Sequence, residues 1–394
     1  MEWVKLGEIG EIITGNTPSK KNKEFYLTED INFISPADIK DFKKINFLYS
    51  SENFISNKAK DKARIAPRNS ILVTCIGNIG KVAKVQLSEV AFNQQINAII
   101  IDNKRYSIDY IAYALIFNQK RMESIANAPV VPIINKKDFS KFKIKIEKSI
   151  KKQNQISNSL NNIGNLINIR KEQIQAYDDF IESLFYEMFG DPNGKSNGFK
   201  LKKLGELGRW NSGGTPKRSN KNYFTGDIPW VTSGELNDIF IHDSFEHINE
   251  EAIENSSAKL VPIGNLLLGM YDSAGLKSSI SSKVLTTNQA IAFSKLDDDI
   301  CNTIFVYFCI QLMRDKLLKK QRGVRQKNFN LSMIKEISIP IPPIEMQNKF
   351  ADYVIKIEEE KKKLRASLDE LEILFEALMQ DAFSGNLFKE WEGR

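Results

Sequence analysis

The residues best suited to chemistry in this chain lie on small Gly-containing loops, and one such loop occurs twice. GNTPSK (residues 15–20) returns as GGTPKR (residues 213–218). The polar and basic residues of these first loops are Thr17, Ser19, Lys20 and Lys21 in one copy and Thr215, Lys217 and Arg218 in the other. Hydroxyl, ammonium and guanidinium groups donate hydrogen bonds. The pattern therefore indicates binding of a polar or anionic partner.

Two further loops repeat in the same order. The second loops carry Asn78 and Lys81 in one copy and Asp272, Ser273 and Lys277 in the other, and the third loops carry Asn93, Gln94 and Gln95 opposite Asn288 and Gln289. Asn and Gln can bind adenine through two hydrogen bonds, Arg and Lys can bind guanine, and each good pair contributes about 1–3 kcal/mol of discrimination. These residues are candidates for reading double-stranded DNA. Short polar side chains also close turns on themselves, so both interpretations stay open for each residue.

The charge distribution fits a polyanionic partner. RGVRQK (residues 322–327) adds Arg322, Arg325 and Lys327, which with the loop lysines would bind phosphates. Residues 1–150 contain 24 Lys and Arg against 16 Asp and Glu, and residues 200–345 contain 19 against 16. The net charge of +7 thus comes from two blocks, as expected of a nucleic-acid-binding protein.

No sequence pattern typical of catalysis was found. A phosphate-binding loop is excluded at GNIGK because Cys75 replaces the required Gly and Val82 the required Ser or Thr. Dinucleotide, methyl-donor, amino-methylation and nuclease motifs are missing too. The three cysteines lack C-x-x-C spacing, and His242 and His247 are five residues apart, so we expect no catalytic residue, metal site or bound cofactor.

Nothing in the sequence suggests a membrane or export. The longest apolar run, IFVYFCIQLM (residues 304–313), is too short to cross a bilayer. The N-terminus lacks a charged region followed by an apolar one. We therefore expect a cytoplasmic protein.

The repeated loops belong to a longer internal repeat with an offset of about 195 residues. The matching segments are LGEIGEIITGNTP with LGELGRWNSGGTP, DINFISPADI with DIPWVTSGEL, PRNSILVTCIGNIGK with PIGNLLLGMYDSAGLK, and NQQINA with NQAIA. Because the matches keep one order, the chain is best explained as a duplicated domain.

Each copy has the composition of a mixed α and β domain. INFIS, SILVTCI, NAIIID and IPWVTS are rich in β-branched or aromatic residues and are bounded by Gly, Pro or Asn, as strands are. A helical segment with its apolar residues on one face follows late in each copy, at residues 109–125 and 302–318. The sequence therefore predicts two similar α/β domains.

A heptad pattern typical of coiled coils follows each copy. In residues 153–189 and 347–383, apolar residues recur at spacings of three and four, and only Arg170 and Lys361 break the pattern. Each helix would be about 55 Å long at about 1.5 Å per residue, too long to bury its apolar stripe on one small domain. We expect the two helices to pack on each other; separate packing on their own domains is the alternative.

These patterns give a domain order. The predicted ranges are a globular domain at 1–150, a central spacer helix at 151–190, a linker at 191–200, a second globular domain at 201–345, and a C-terminal spacer helix and tail at 346–394. The linker is predicted because GDPNGKSNG is rich in Gly, Pro and Asn.

Together these segments resemble the DNA-specificity subunit of type I restriction-modification systems. The resemblance rests on LGEIGEIITGNTPSK and LGELGRWNSGGTPKR, GNIGKVA, NQQINA with NQAIA, NKKDFSKFKIKIEKSIKKQNQI with RQKNFNLSMIKEISIPIPPIEMQNKF, LFYEMFGDP and LMQDAFSGNLF. It covers nearly the whole chain, and the order of the segments is more specific than any one of them.

The resemblance implies two target-recognition domains, each binding one half of a split DNA sequence, held apart by antiparallel helices with pseudo-twofold symmetry. It implies docking of two methylation subunits, which carry the methyl donor, and through them of restriction subunits that use ATP. One departure is that PIPPIE (residues 340–345) has no proline counterpart in residues 143–150, so we expect the two spacer helices to start differently.

Two alternatives stay open. The chain could serve a fused restriction-and-methylation polypeptide, which the neighbouring genes would reveal. It could instead be a coiled-coil adaptor that binds proteins, in which case its DNA binding would not show a steep salt dependence. A stand-alone nuclease or methyltransferase is disfavoured because its motifs are missing.

Overall fold

The computed structural model describes residues 1–126, 131–194, 198–271, 275–322 and 328–384, with the backbone alone for residues 320–322. These residues form two compact units. Unit 1 comprises residues 1–172 and 365–384, and unit 2 comprises residues 173–364.

The described elements of unit 1 are mostly short strands. They are β1 (Glu2–Lys5), β2 (Gly10–Thr14), β3 (Ile31–Ile34), β4 (Asn46–Leu48), β5 (Asn53–Ile55), β6 (Ile65–Pro67), β7 (Ile71–Thr74), β8 (Val82–Val85), β9 (Glu89–Phe92), β10 (Ile96–Ile101) and β11 (Lys143–Ile146), with helices α1 (Leu6–Ile9), α2 (Ile108–Phe117), α3 (Gln119–Ser124) and α4 (Lys136–Lys141).

Unit 2 repeats this plan. Its elements are β12 (Lys200–Lys203), β13 (Asn211–Ser212), β14 (Ile228–Val231), β15 (Phe240–Ile241), β16 (His247–Ile248), β17 (Leu260–Val261), β18 (Leu266–Gly269), β19 (Ser278–Ser281), β20 (Leu285–Thr287), β21 (Ile291–Ser294) and β22 (Ser338–Ile341), with helices α6 (Glu250–Glu254), α7 (Thr303–Arg322) and α8 (Leu331–Lys335). The long helices α5 (Ile150–Phe189) and α9 (Ile344–Ser384) contribute to both units.

The sheets of the two units have the same topology. A five-stranded sheet has the order β2-β10-β7-β8-β4 in unit 1 and β13-β21-β18-β19-β15 in unit 2, and a four-stranded sheet has the orders β5-β3-β9-β6 and β16-β14-β20-β17. Even the parallel pairs coincide, with β3–β9 and β4–β8 matching β14–β20 and β15–β19. The predicted duplication and the mixed α/β class are confirmed.

The five-stranded sheet of unit 1 is buried on both faces. Leu72 and Ala98 join an apolar cluster with the four-stranded sheet, whereas Val73 and Ile99 join one with the helices. Because side chains alternate along a strand, neighbouring residues serve opposite faces. Burial of both faces explains why SILVTCI and NAIIID read as continuous apolar runs rather than alternating ones.

Helix α2 corrects one prediction. Its residues 110–116 are all buried, so its apolar residues do not lie on one face. The helical segment expected at 109–125 is also broken, since α2 ends before Asn118 and α3 follows it. The Asn118 side chain donates to the carbonyl of Ala114 (2.7 Å), and this local bond competes with helix continuation.

The long helices pair in both units. In unit 1, Gly164 of α5 faces the Phe375 ring of α9, and Lys171 Nζ lies 2.7 Å from Glu372 Oε1. Later residues of α5 thus meet earlier residues of α9, so the pair is antiparallel. The predicted packing of the two helices on each other is confirmed within unit 1.

The same antiparallel pairing is found in unit 2. The Phe185 and Phe350 rings are 5.5 Å apart, and Lys361 forms an ion pair with Asp178. Of the heptad positions, the described residues Ile156, Leu160, Ile181, Phe350, Val354, Ile357, Lys361, Phe375 and Ala382 are buried, and the others are half-buried.

The two long helices share a buried glutamine near their starts. Gln153 of α5 accepts a hydrogen bond from the Ser107 N–H (2.8 Å), and Gln347 of α9 accepts one from the Asn302 N–H (2.9 Å). Both glutamines are buried and also donate to the backbone just before their helix. A buried glutamine therefore anchors both starts. The residue before the helix differs as expected, since Ser149 Oγ accepts from the Lys152 N–H (3.4 Å) before α5 and Pro343 stands at that place before α9.

Replacing Lys361 tests the heptad seam. Lys361 is only 3% exposed and lies in ion pairs with Asp178 and Glu358. We expect Lys361→Ala to lower the free energy of unfolding by about 1–3 kcal/mol, because the Glu358 side chain is only 14% exposed and would lose this partner. The measurement is urea unfolding, with the exposed neighbour Lys362→Ala as control. Equal stability of both variants would contradict the placement of Lys361 in the buried seam between the helices.

In the described part of the chain, no helix combines the length and the apolar character that a bilayer crossing requires.

Candidate nucleic-acid interface

The first and third loops of unit 1 are joined into one surface. The Gly15 N–H donates to the Ile96 carbonyl (3.1 Å), and Thr17 Oγ1 donates to Gln94 Oε1 (2.9 Å). Glycine is needed here because a Cβ at position 15 would collide with the Asn93 carbonyl oxygen. The Gly-x-Thr-Pro turn thus brings polar residues from two distant loops together.

Unit 2 repeats this junction. The Gly213 N–H donates to the Ile291 carbonyl (3.1 Å), and Thr215 Oγ1 donates to Gln289 Oε1. A Cβ at position 213 would collide with the Thr287 carbonyl oxygen. The same small turn recurs because, in both units, the backbone of the first loop packs directly against the backbone of the third loop.

Two of the predicted asparagines close their own loops. Asn93 Oδ1 accepts from the Gln95 N–H (3.0 Å), and its Nδ2 donates to Gln95 Oε1 (3.1 Å). Asn288 Oδ1 accepts from the Ala290 N–H (3.0 Å). These contacts favour the turn-closing interpretation for both asparagines, whereas their neighbours Gln94 and Gln289 are exposed.

In unit 1 the joined loops border a cleft of about 790 Å³. The predicted residues that line it are Thr17, Lys20, Asn93 and Gln94, and the other lining residues are Lys23, Tyr26, Leu27, Phe33, Ser35, Asn53 and Phe54. Ammonium groups neutralise phosphates, amides read base edges, and aromatic rings stack on bases. The cleft brings all three kinds of group together.

In unit 2 the equivalent surface has different chemistry. Arg218 Nη2 donates to Glu246 Oε2 (2.8 Å), and its guanidinium lies over the rings of Phe224 and Trp230 at 4.7 and 4.6 Å. The hydrogen bond and charge of Arg218 lower the Glu246 pKa despite partial burial. By strand register Glu246 occupies the position of Asn53, so a carboxylate replaces an amide here.

A further pair of loops borders these surfaces and was not predicted from the sequence. We call them the tip loops, residues 49–53 in unit 1 and residues 242–246 in unit 2. Asp38 Oδ1 accepts from the Glu52 N–H (3.0 Å), and Glu235 Oε1 accepts from the Phe245 N–H (2.9 Å). A carboxylate therefore holds each tip loop in the same way.

A sequence signal for these carboxylates existed. Each carboxylate lies three residues after a hydroxyl residue, Asp38 after Ser35 and Glu235 after Thr232. Each accepts a hydrogen bond from the backbone N–H of that hydroxyl residue at 2.8 Å. This is the spacing of a capping box at the start of a short helix. The repeat aligned the two segments but gave no role to their acidic residues.

Second-loop residues are not among those that line the unit 1 cleft. Lys81 lies over the Phe42 ring (4.9 Å), Asn78 is exposed, and Lys277 Nζ donates to Asn237 Oδ1 (2.8 Å) in unit 2. The first-loop residues Ser19, Lys21 and Lys217 are exposed. Asp272, Ser273, Arg325 and Lys327 lie outside the described residues, and Arg322 is described by its backbone alone.

The described residues contain no group of three His, Cys, Asp or Glu side chains that could hold a metal ion. Cys75 and Cys301 are buried, and burial raises their thiol pKa to about 12. Cys309 is buried too, and its thiol pKa lies well above the usual value for the same reason. His247 Nε2 lies 2.7 Å from Asp243 Oδ1.

The chain matches a known family along most of its length. The sequence pattern described as the type I restriction modification DNA specificity domain matches twice, at residues 1–176 and 196–372. The type I restriction enzyme MjaIX specificity subunit of Methanocaldococcus jannaschii is 23% identical over 372 residues, 89% of this chain and 85% of that protein. The EcoR124I/EcoR124II specificity subunit of Escherichia coli is 26% identical over 203 residues, 49% of this chain and 46% of that protein.

Solved structures have the same fold. The S subunit of a type I restriction-modification system from M. genitalium superposes with a TM-score of 0.65 at 13% identity, covering 97% of this chain and 96% of that one. A chain from a structure on complex assembly and conformational transition of the type I R-M system gives 0.56 at 14% identity, with 98% of both chains covered.

Proposed function

The chain belongs to the type I restriction modification DNA specificity family, and from this we propose that it reads a double-stranded DNA target in two parts, one part for each unit. The observation that carries the proposal is that the two units have the same fold but different residues on the candidate interface. The two units share their sheet topology. The unit 1 surface nevertheless presents Lys20 and Asn53, whereas unit 2 presents the Arg218–Glu246 pair.

The long helices suit a spacer between the two readers. Helices α5 and α9 have 40 and 41 residues, so each is about 60 Å long at about 1.5 Å per residue. Duplex DNA presents the same face about every 34 Å, and two readers must match that repeat. We expect the common length of the helices to set the number of unread base pairs between the two parts of the target.

In this role the chain does no chemistry of its own. The relatives named above are specificity subunits, and we assign this chain the same non-catalytic role. The methyl donor and ATP would be bound by partner subunits, with no cofactor on this chain. The proposed place of action is the cytoplasm.

Two methylation subunits are the proposed direct partners, and restriction subunits would bind through them. In unit 1, the exposed face of α9 carries Ile373 and Leu374, which are 68% and 52% exposed. Exposed apolar residues side by side on a helix suit a protein contact.

We expect the double variant Ile373→Asp and Leu374→Asp to lose co-purification with the methylation subunits, because the carboxylates would be buried without partners. Glu370→Ala, an exposed change on the same helix, is the control, and thermal melting should be the same for both proteins. Undiminished assembly of the double variant would contradict this contact.

The function is tested by mapping methylated adenines. The methylation subunits are expressed, with and without this chain, in a host that has no adenine methylation of its own. We expect a two-part methylated sequence that disappears when this chain is omitted. The proposal would be contradicted if methylation did not depend on this chain. It would also be contradicted if the complex assembled normally and methylated no DNA.

Arg218 is expected to discriminate one base pair in the half-site of unit 2. Lysine in the variant Arg218→Lys keeps the charge but cannot form two parallel hydrogen bonds to one base, as a planar guanidinium can. The preference for the correct base pair should fall by about 5- to 150-fold, which corresponds to about 1–3 kcal/mol. Competition binding with duplexes that differ at single base pairs gives this ratio.

The matched control for Arg218 is its exposed neighbour Lys217. Lys217→Ala should weaken binding to all duplexes equally and reduce its salt dependence by about 0.9 per lost phosphate contact. If Arg218→Lys instead weakened binding to every duplex equally, its contact would be to phosphate.

A further inference from the structure

Phe245 is an exposed aromatic residue held on an ordered loop. Its side chain is 92% exposed, at the tip loop between strands β15 and β16 of unit 2. Removal of a phenylalanine side chain from water stabilises a protein by about 1.5–3 kcal/mol. The fold of unit 2 gains nothing of this kind from Phe245.

The loop beneath Phe245 is held on both sides. Glu235 Oε1 lies 2.9 Å from the Phe245 backbone nitrogen and 2.9 Å from Ser244 Oγ. Burial of Glu235 opposes its ionisation, but hydrogen bonds from the Phe245 N–H and from Thr232 outweigh this and lower its pKa. On the other side, His247 Nε2 lies 2.7 Å from Asp243 Oδ1. The ring is thus presented from a fixed backbone.

Unit 1 shows that this loop does not require an aromatic residue. Its tip loop has the same backbone bond, from the Glu52 N–H to Asp38, and carries Glu52 where unit 2 carries Phe245. Glu52 is exposed as well. Because the same loop forms with glutamate at its tip, folding of the loop does not explain the phenylalanine.

Phe245 lies at the rim of the candidate interface. The next residue, Glu246, forms the ion pair with Arg218 of the first loop. In unit 1 the equivalent of Glu246 is Asn53, which lines the cleft together with Lys20. Phe245 is therefore one residue along the tip loop from the Arg218–Glu246 pair.

The charges around the ring favour an uncharged partner group. The acidic side chains of the tip loop and its supports are Glu235, Asp238, Asp243 and Glu246, and the basic ones nearby are Arg218, His247 and Lys283. The acidic groups outnumber the basic ones, so the electrostatic field around the ring disfavours phosphate. A base of the DNA, which offers an uncharged aromatic face, suits the ring better.

We propose that Phe245 stacks on an unstacked base in the half-site read by unit 2, acting as a wedge at a position where unit 1 carries Glu52. The inference rests on the proposed DNA-reading function and extends it, since the half-site of unit 2 would be deformed at the base step that Phe245 enters. Apolar side chains that enter a base step unstack it and kink the duplex. Specificity at that step would then come from how easily the sequence deforms.

The test uses the complex of the full chain with its methylation subunits, and target duplexes with 2-aminopurine placed at successive positions of both half-sites. Binding of the unchanged protein should raise the fluorescence at one position in the half-site of unit 2 besides the methylated adenine, which a methyltransferase flips out of the helix. Phe245→Ala should remove this signal and weaken target binding by about 5- to 150-fold, the effect of one lost base stack. Phe245→Trp should preserve both, and Glu52→Ala should leave the signal unchanged.

The outcomes separate this inference from the function it rests on. If Phe245→Ala retains the fluorescence signal and full affinity, the wedge is wrong and the DNA-reading function stands. If Phe245→Ala weakens assembly of the complex without DNA, the ring contacts a protein and the inference is overturned. If the unchanged complex does not prefer its target over other DNA, the proposed function itself fails. Thermal melting should be unchanged, because the side chain is exposed.

Discussion

Replacing Gly213 by alanine is expected to abolish specific DNA binding through unit 2. The new Cβ would collide with the backbone oxygens of Thr287 and Asn288, so the third loop must move away. This separates Thr215 from Gln289 and destroys the joined surface. We expect specific affinity to fall by about 30-fold or more, as for the loss of two base-pair contacts at about 1–3 kcal/mol each.

Three measurements decide this prediction. Binding of the complex to target and random duplexes gives the loss of specificity, and unfolding should show a cost of about 1–3 kcal/mol for the forced rearrangement. Gly234→Ala is the control, because nothing lies within 4 Å of a Cβ at that position. Gly15→Ala should act in the same way on the half-site of unit 1. Full target affinity of Gly213→Ala would mean that the junction does not form the reading surface.

Replacing Phe350 by alanine is expected to destabilise unit 2 strongly. Phe350 of α9 is fully buried, and its ring lies 5.5 Å from those of Phe185 and Phe189 and 5.3 Å from that of Phe308. Truncation of a buried phenylalanine typically costs about 3–5 kcal/mol because it leaves a cavity. The free energy of unfolding of unit 2 should fall by this amount, and its unfolding transition should move to a lower temperature.

The control for Phe350 is Tyr353, which lies one turn further along α9 and is 40% exposed. Tyr353→Ala should change the stability much less. Calorimetry of both variants gives the comparison, and the double variant with Phe185→Ala should cost less than the sum of the single changes, since the two rings share one contact. If Phe350→Ala and Tyr353→Ala were equally stable, the aromatic cluster would not anchor α9.

The repeat and the long helices could be predicted because their signals are local. Heptad spacing marks a buried seam whatever the partner is, and the observed burial of Ile156 and Phe350 follows it. The Gly-x-Thr-Pro turn repeats because a Cβ is excluded at Gly15 and at Gly213. The break at Asn118 could not be predicted in this way, since it depends on a side-chain bond to Ala114 within an otherwise regular helical pattern.

The chemistry of the interface depends on contacts that the sequence does not display. Arg218 was predicted from the first loop, but Glu246 lies 28 residues away and meets it only through the pairing of β14 with β16. Phe245 was missed for the same reason. Lys81 was predicted to contact DNA because of its position on the second loop, whereas its ammonium lies over the Phe42 ring. The roles of the predicted residues in DNA binding stay predictions.

The central claim is that each unit reads its own part of one DNA target. The most direct measurement is to exchange residues 1–150 for the matching segment of a relative with a different target and to map the methylated adenines. The account predicts that one half of the methylated sequence changes while the other half and the spacing between them stay the same. A change in both halves, or in neither half in a complex that still methylates DNA, would contradict it.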